Sequence, residues 1–134
     1  MYSFKNDYSE GCHQKILESI IKHNNFQQLG YGEDEFSQKA KEIIKEKIEN
    51  KNAEIFFVSG GTQANLVVVS ALLRPHESVI CVNSAHVHVH EAGSIEAVGH
   101  KLNVVNSNDG KIRVEQFEEI LEEHCIVPHM VKPR

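Results

Sequence analysis

The sequence predicts an α/β fold built on a mostly parallel sheet with helices on both faces, and three observations predict it. Short apolar runs of β-type residues, "IFFV", "SVICV" and "KLNVV", recur along the chain. Segments of helical periodicity separate them. The runs are apolar at successive positions instead of alternating, as strands of a sheet buried on both sides must be.

The elements follow in order. "HQKILESIIKHN" puts Ile16, Leu17, Ile20 and Ile21 on one face, which predicts an amphipathic helix from His13 to about His23 that docks on something larger. After the turn-like "LGYGEDE", Phe36, Ala40, Ile43, Ile44 and Ile48 recur at helical spacing with lysine and glutamate opposite, so Phe36 to Asn50 is a helix. The texture then changes. "AEIFFVSGGTQANLVVVSALLRP" reads as a strand over Ile55 to Val58, a small-residue turn, and a helix from about Thr62 to Leu73 that Pro75 stops. Ser78 to Val82 is a second strand, Glu91 to Val98 is helical, and Lys101 to Asn106 is a third strand. "NDGK" turns the chain into a last helix, Val114 to His124, with Phe117, Ile120 and Leu121 inward. In the closing "CIVPHMVKPR" the β/α rhythm calls for another buried strand. Three strands are few for a covered parallel sheet, whose usual size is about five or six. The expectation is the front part of a longer chain, residues 1–50 forming an N-terminal helical segment and 51–134 the beginning of a larger domain.

Composition narrows the function. The 134 residues are 40% hydrophobic and 25% charged with a net charge of -5, and the basic residues are scattered among acids, so neither nucleic acid nor an anionic membrane is the expected partner. A small molecule or a protein is. Cys12, Cys81 and Cys125 are odd in number, far apart and form no C-x-x-C, which argues against a disulfide framework or a zinc ribbon and for a reducing, cytoplasmic setting. No apolar leader segment opens the chain, and no run approaches the roughly 18 apolar residues of a membrane span. Cys81 itself reads as a small buried hydrophobe.

Two stretches carry chemistry. In "SGGTQAN" a strand runs through Gly60 and Gly61 into a helix. The glycines permit positive φ and close backbone approach, and the first helical N–H groups point outward at the positive end of the dipole, a geometry that binds phosphate. The string matches neither nucleotide-binding glycine pattern. An ordinary tight turn with Thr62 as cap fits it equally. In "AHVHVHEAGS", His86, His88 and His90 fall at every second residue. On a strand they would share a face and could hold zinc or iron. On a helix His86, His90 and Gly93 align instead, and the following "EAGSIEAVG" favours that continuation. His13, His23, His76, His100, His124 and His129 stand singly and read as solvated or structural, and the acids of "EQFEEILEEH" as an outer helix face.

Taken together, "NDYSEG", "GYGEDEFSQKA", "FFVSGGTQAN" and "HVHVHEAGSIEAVGHK" resemble, in order and spacing, the N-terminal portion of threonine aldolases. These belong to the β-eliminating lyase group of pyridoxal-phosphate (PLP) enzymes with the aspartate-aminotransferase fold, fold type I. The similarity runs from about Phe4 to Pro133. It implies that Gly61 and Thr62, with the N–H of Gln63, hold the PLP phosphate. His86 falls on the histidine that stacks against the pyridine ring and exchanges a proton with the substrate hydroxyl. Tyr31 and Gly32 match an active-site loop near the subunit boundary, and Asn6 matches a position where many relatives carry serine near the substrate carboxylate. His90 stands where tyrosine is common, and Glu91 matches a recurring acid.

The resemblance also implies what lies outside these residues. The Schiff-base lysine, the aspartate that pairs with the pyridine nitrogen and the arginine that grips the substrate carboxylate belong to the family's second half. Residues 51–134 would be the first part of the PLP-binding large domain, unable to retain PLP or to catalyse alone. The strand at Ile55 to Val58 would lack its neighbour. The complete enzyme would cleave a β-hydroxy-α-amino acid, L-threonine or allo-threonine, to glycine and acetaldehyde, as a homodimer or homotetramer. Two other readings stand beside this one: a small metal-binding α/β module using His86, His88 and His90, and another PLP β-eliminating lyase.

Overall fold

Two kinds of local chemistry shape the N-terminal region: carboxylate capping, and a pair of left-handed residues. The structure, a computed structural model, describes residues 3–6, 8–126 and 129–134. It divides into two compact units, residues 1–57 and 58–134. In the first, helix α1 (Gln14–His23) starts where His13 Nδ1 accepts the N–H of Lys15 at 3.2 Å. Helix α2 (Glu35–Lys47) starts at Asp34, whose Oδ1 accepts the N–H of Ser37 at 2.8 Å while Oδ2 accepts its hydroxyl at 2.6 Å. That satisfies one of the free donors at the helix start. Between the helices, Tyr31 (φ 61°) and Gly32 (φ 79°) turn the chain through the left-handed region, and the Gly32 carbonyl accepts Gln38 Nε2 at 3.0 Å. The His23 ring lies edge-on to Phe26 and Phe36. The apolar face of α1 is as expected, but none of its residues is buried.

The second unit begins with α3 (Gly61–Leu72), followed by β1 (Glu77–Val82), the one-turn helices α4 (His86–Val89) and α5 (Ser94–Ala97), β2 (Lys101–Val105), α6 (Val114–Ile126) and β3 (Lys132–Pro133). The strands form a three-stranded sheet in the order β2-β1-β3, and both pairings are parallel. Ser78 lies opposite Lys101 on one side and Pro133 on the other. The chain leaves β1 for β2 in one direction and passes back across β1 to reach β3. On the way α5 packs against β2, and α6 against β3. The sheet is parallel and α/β, as its apolar runs imply.

Ile95 of α5 is fully buried and packs between α3 and β2, and Cys81 of β1 and Val105 of β2 are buried in the sheet. At the start of the sheet the buried groups are polar, and each finds a partner. Asn103 Nδ2 donates to Ser78 Oγ at 2.7 Å, and His100 Nδ1 meets the Glu77 carbonyl at 3.1 Å. Glu77 accepts the N–H of Arg74 at 2.8 Å and pairs with Arg134 Nε at 3.2 Å.

Two elements differ from the sequence expectation. Ile55 to Val58 is not a strand, and its Phe56, Phe57 and Val58 are 78%, 52% and 42% exposed. A strand exists only as half of a ladder, and among the described residues none pairs with this segment. The third strand of the sheet is instead β3, within the tail where the rhythm called for one. The helix expected over Glu91 to Val98 is also broken. α4 ends at His90 (φ -129°), and Ala92 (φ 49°) and Gly93 (φ 75°) pass through the left-handed region before α5 begins. No described helix is long and apolar enough to cross a membrane.

Candidate active site

The glycine turn ahead of α3 is an open helix start. No side chain caps it, and its first backbone bond runs from the Ala64 N–H to the Gly60 carbonyl at 3.1 Å. The N–H groups of Gly61, Thr62 and Gln63 are thus unused by the helix. The glycines serve this end differently from the positive-φ reading: Gly60 is fully extended (φ 173°), and Gly61 is already helical. What both supply is space, because a Cβ built on either meets nothing within 4 Å. Gln63 is not free to reach forward with its side chain. Its Oε1 accepts the Ser59 N–H at 2.7 Å and the Ser59 hydroxyl at 2.8 Å, which ties down the entering chain and leaves the backbone donors to face outward.

His86 opens α4, Glu91 follows the end of that helix, and the left-handed Ala92 and Gly93 bring Ser94 of α5 back to it. Glu91 Oε1 lies 2.7 Å from His86 Nδ1 and accepts Asn65 Nδ2 at 2.7 Å, while Oε2 accepts the Ser94 hydroxyl at 2.8 Å. The carboxylate is wholly enclosed, whereas the imidazole is 66% exposed. The hydrogen bond from His86, then that from Ser94, holds the Glu91 carboxyl below the ordinary glutamate range against the opposing push of burial. Asn65 belongs to α3, so this buried acid joins the open helix start to the exposed imidazole. The ring of His90 lies 5.4 Å from that of His86, tilted by 52°.

The alternating histidines do not form a metal face. His86 to Val89 is a turn of helix, so the side chains do not alternate across a sheet. Among the described residues no three histidine, cysteine, aspartate or glutamate side chains gather to hold a metal ion. His86 alone of the three meets the buried carboxylate.

Gly61, Thr62, Gln63 and His86 all lie in the second unit. Tyr31 and Asn6 lie in the first. Tyr31 is fully exposed in its left-handed turn. Asn6 uses its Oδ1 locally, accepting the Tyr8 N–H at 3.2 Å and the Ser9 hydroxyl at 2.6 Å. Sequence reasoning passed over Asn65 and Ser94 and noted Glu91 without a role. A signal for Asn65 was present: an amide in the otherwise apolar run "ANLVVV" needs a buried partner.

The chain is 30% identical over 133 residues to low-specificity L-threonine aldolase of Pseudomonas sp. (strain NCIMB 10558) and 29% identical to that of Pseudomonas aeruginosa. Each match covers 98% of this chain and 38% of the relative. A solved structure of Leishmania major threonine aldolase matches with a TM-score of 0.93 at 46% identity, covering 100% of this chain and 39% of that one. The chain therefore spans about two fifths of the length of these relatives, and its fold is that of an incomplete fold-type I large domain. The beta-eliminating lyase model matches residues 17–134, and the chain belongs to that family.

Proposed function

We propose that these residues are the N-terminal portion of a PLP-dependent aldehyde-lyase that cleaves L-threonine or allo-threonine to glycine and acetaldehyde. One observation carries the reading: an uncapped helix start with three free N–H donors is hydrogen-bonded, through Asn65 and a buried acid, to an exposed imidazole. The relatives that carry the name threonine aldolase support the reaction.

The residues present fit the cofactor's phosphate. Backbone donors at a helix N-terminus suit a dianion, and the empty space where Cβ atoms would stand at Gly60 and Gly61 lets it come close. Gly61, Thr62 and Gln63 would hold it. PLP, when bound, supplies an electron sink for the pair released as the Cα–Cβ bond of the amino acid breaks. His86 offers the ring an imidazole face and, at Nε2, a site that takes the proton of the β-hydroxyl. Asn6 and Tyr31 are assigned to the substrate side. The covalent lysine, the aspartate facing the pyridine nitrogen and the carboxylate-binding arginine are supplied by sequence outside these residues. The chain alone thus neither retains PLP nor turns over, and the complete protein works in the cytoplasm as a homodimer or homotetramer.

The test is an assay of the complete gene product for glycine and acetaldehyde release from L-threonine and L-allo-threonine, with His86→Ala and Gly61→Glu beside it. Release abolished by both substitutions is expected. A product that binds PLP but acts only on other β-substituted amino acids would replace the aldolase reading with another β-eliminating lyase, and one that binds no PLP would end both.

A further inference from the structure

We propose that Glu91 is the positioning residue for His86: it holds the imidazole as the tautomer with hydrogen on Nδ1, so that Nε2 faces outward as an acceptor. The inference rests on the reading of His86 as the proton-handling group, but the geometry behind it needs no cofactor.

Glu91 is an acceptor-only group with its side chain fully enclosed, and it draws donors from three elements. Asn65 comes from α3, His86 from α4 and Ser94 from α5, at 2.7, 2.7 and 2.8 Å. A carboxylate held by Asn65 and Ser94 cannot donate, so Nδ1 of His86 must. In the neutral ring the lone pair then lies on Nε2. This choice is imposed on the ring, since an unconstrained imidazole side chain prefers the hydrogen on Nε2. The cluster is also built at a conformational cost. The Ser94 bond closes across Ala92 and Gly93, which turn through the left-handed region at φ 49° and 75°, and alanine enters that region reluctantly. Asn65 anchors the acid from the same helix whose first turn carries the free N–H donors. One carboxylate thereby fixes both the tautomer of the imidazole and its place relative to that helix start.

A Glu91 that served only to tie the three helices together would leave the ring of His86 free to choose its tautomer. Long-range proton–nitrogen NMR spectra of the histidine-labelled 134-residue chain, recorded where the rings are neutral, separate the cases. The expected parent spectrum shows His86 protonated at Nδ1. In Glu91→Ala the ring should revert to the Nε2-protonated form, while Glu91→Gln, whose amide oxygen can stand in for Oε1, should keep the parent form. An Nε2-protonated His86 in the parent, or an unchanged ring in Glu91→Ala, overturns the proposal. If Glu91→Ala fails to fold, the parent and Glu91→Gln spectra still decide, since Nε2 protonation in either removes Oε1 as the acceptor. The readout does not pass through PLP or turnover, so loss of the aldolase reading would leave it standing, and its own failure would leave that reading intact.

Discussion

Glu91, Glu77 and Asp34 each hold a carboxyl group below the ordinary range, and in each case accepted hydrogen bonds come first among the causes. For Glu91 the donors are His86 and Ser94, for Glu77 the Arg74 N–H, for Asp34 the hydroxyl and N–H of Ser37. A group whose native pKa is lowered adds stability that is fully present above its unfolded value, about 4 for these side chains, and lost as the pH falls through the native one. The urea midpoint of the chain should therefore fall once the pH drops below the ordinary carboxylate range. Glu91→Gln, lacking one titrating group, should flatten that fall. A midpoint independent of pH down through that range would show that these bonds do not hold the native state. The residue scale is also where the sequence was most and least informative. "SGGTQAN" announces an open helix start because everything it needs is local. The contacts of Glu91 were hidden because its partner Asn65 lies 26 positions earlier, and because its bond from Ser94 closes across a left-handed alanine that no composition rule anticipates.

At the scale of elements, apolar character predicts burial only where a neighbour exists to provide it. Ile95, on a helix of one turn, is 0% exposed because α3 and β2 close around it, whereas Phe56, in the most strand-like string of the sequence, is 78% exposed. The long helices were legible from periodicity, since an amphipathic face needs no knowledge of what covers it. The run at residues 55–58 was misread as formed structure because a strand's identity lies in its pairing. The same contrast sets the expected mutational costs. Ile95→Ala should lower stability by about 2–5 kcal/mol, the range for deleting a buried aliphatic side chain. Phe56→Ala should cost little, since almost nothing is uncovered. Urea titrations of the two variants check this. A comparable loss in Phe56→Ala would mean that the segment is paired and buried in solution.

Across the whole molecule the shortfall of burial can be put in numbers. The chain exposes 11332 Å², whereas a folded monomer of 15.2 kDa exposes roughly 7,100 Å² and even two separate bodies of half that mass roughly 8,600 Å². Apolar side chains contribute to it, among them Ile20 and Ile21 of α1 and Val67, Val68 and Leu72 of α3. The fold class was legible because the β/α rhythm is a property of any stretch of such a sheet. How well the sheet and its helices are covered is not, because cover comes from strands and helices that a rhythm does not count. The consequence is measurable in the denaturant slope, which scales with the area exposed on unfolding. The urea m-value of the 134-residue chain should then be smaller than that for a compact domain of equal length, and the native state should bind a fluorescent apolar-surface dye. A full-sized m-value with no dye bound would mean that the exposed faces of α1 and α3 are covered in solution.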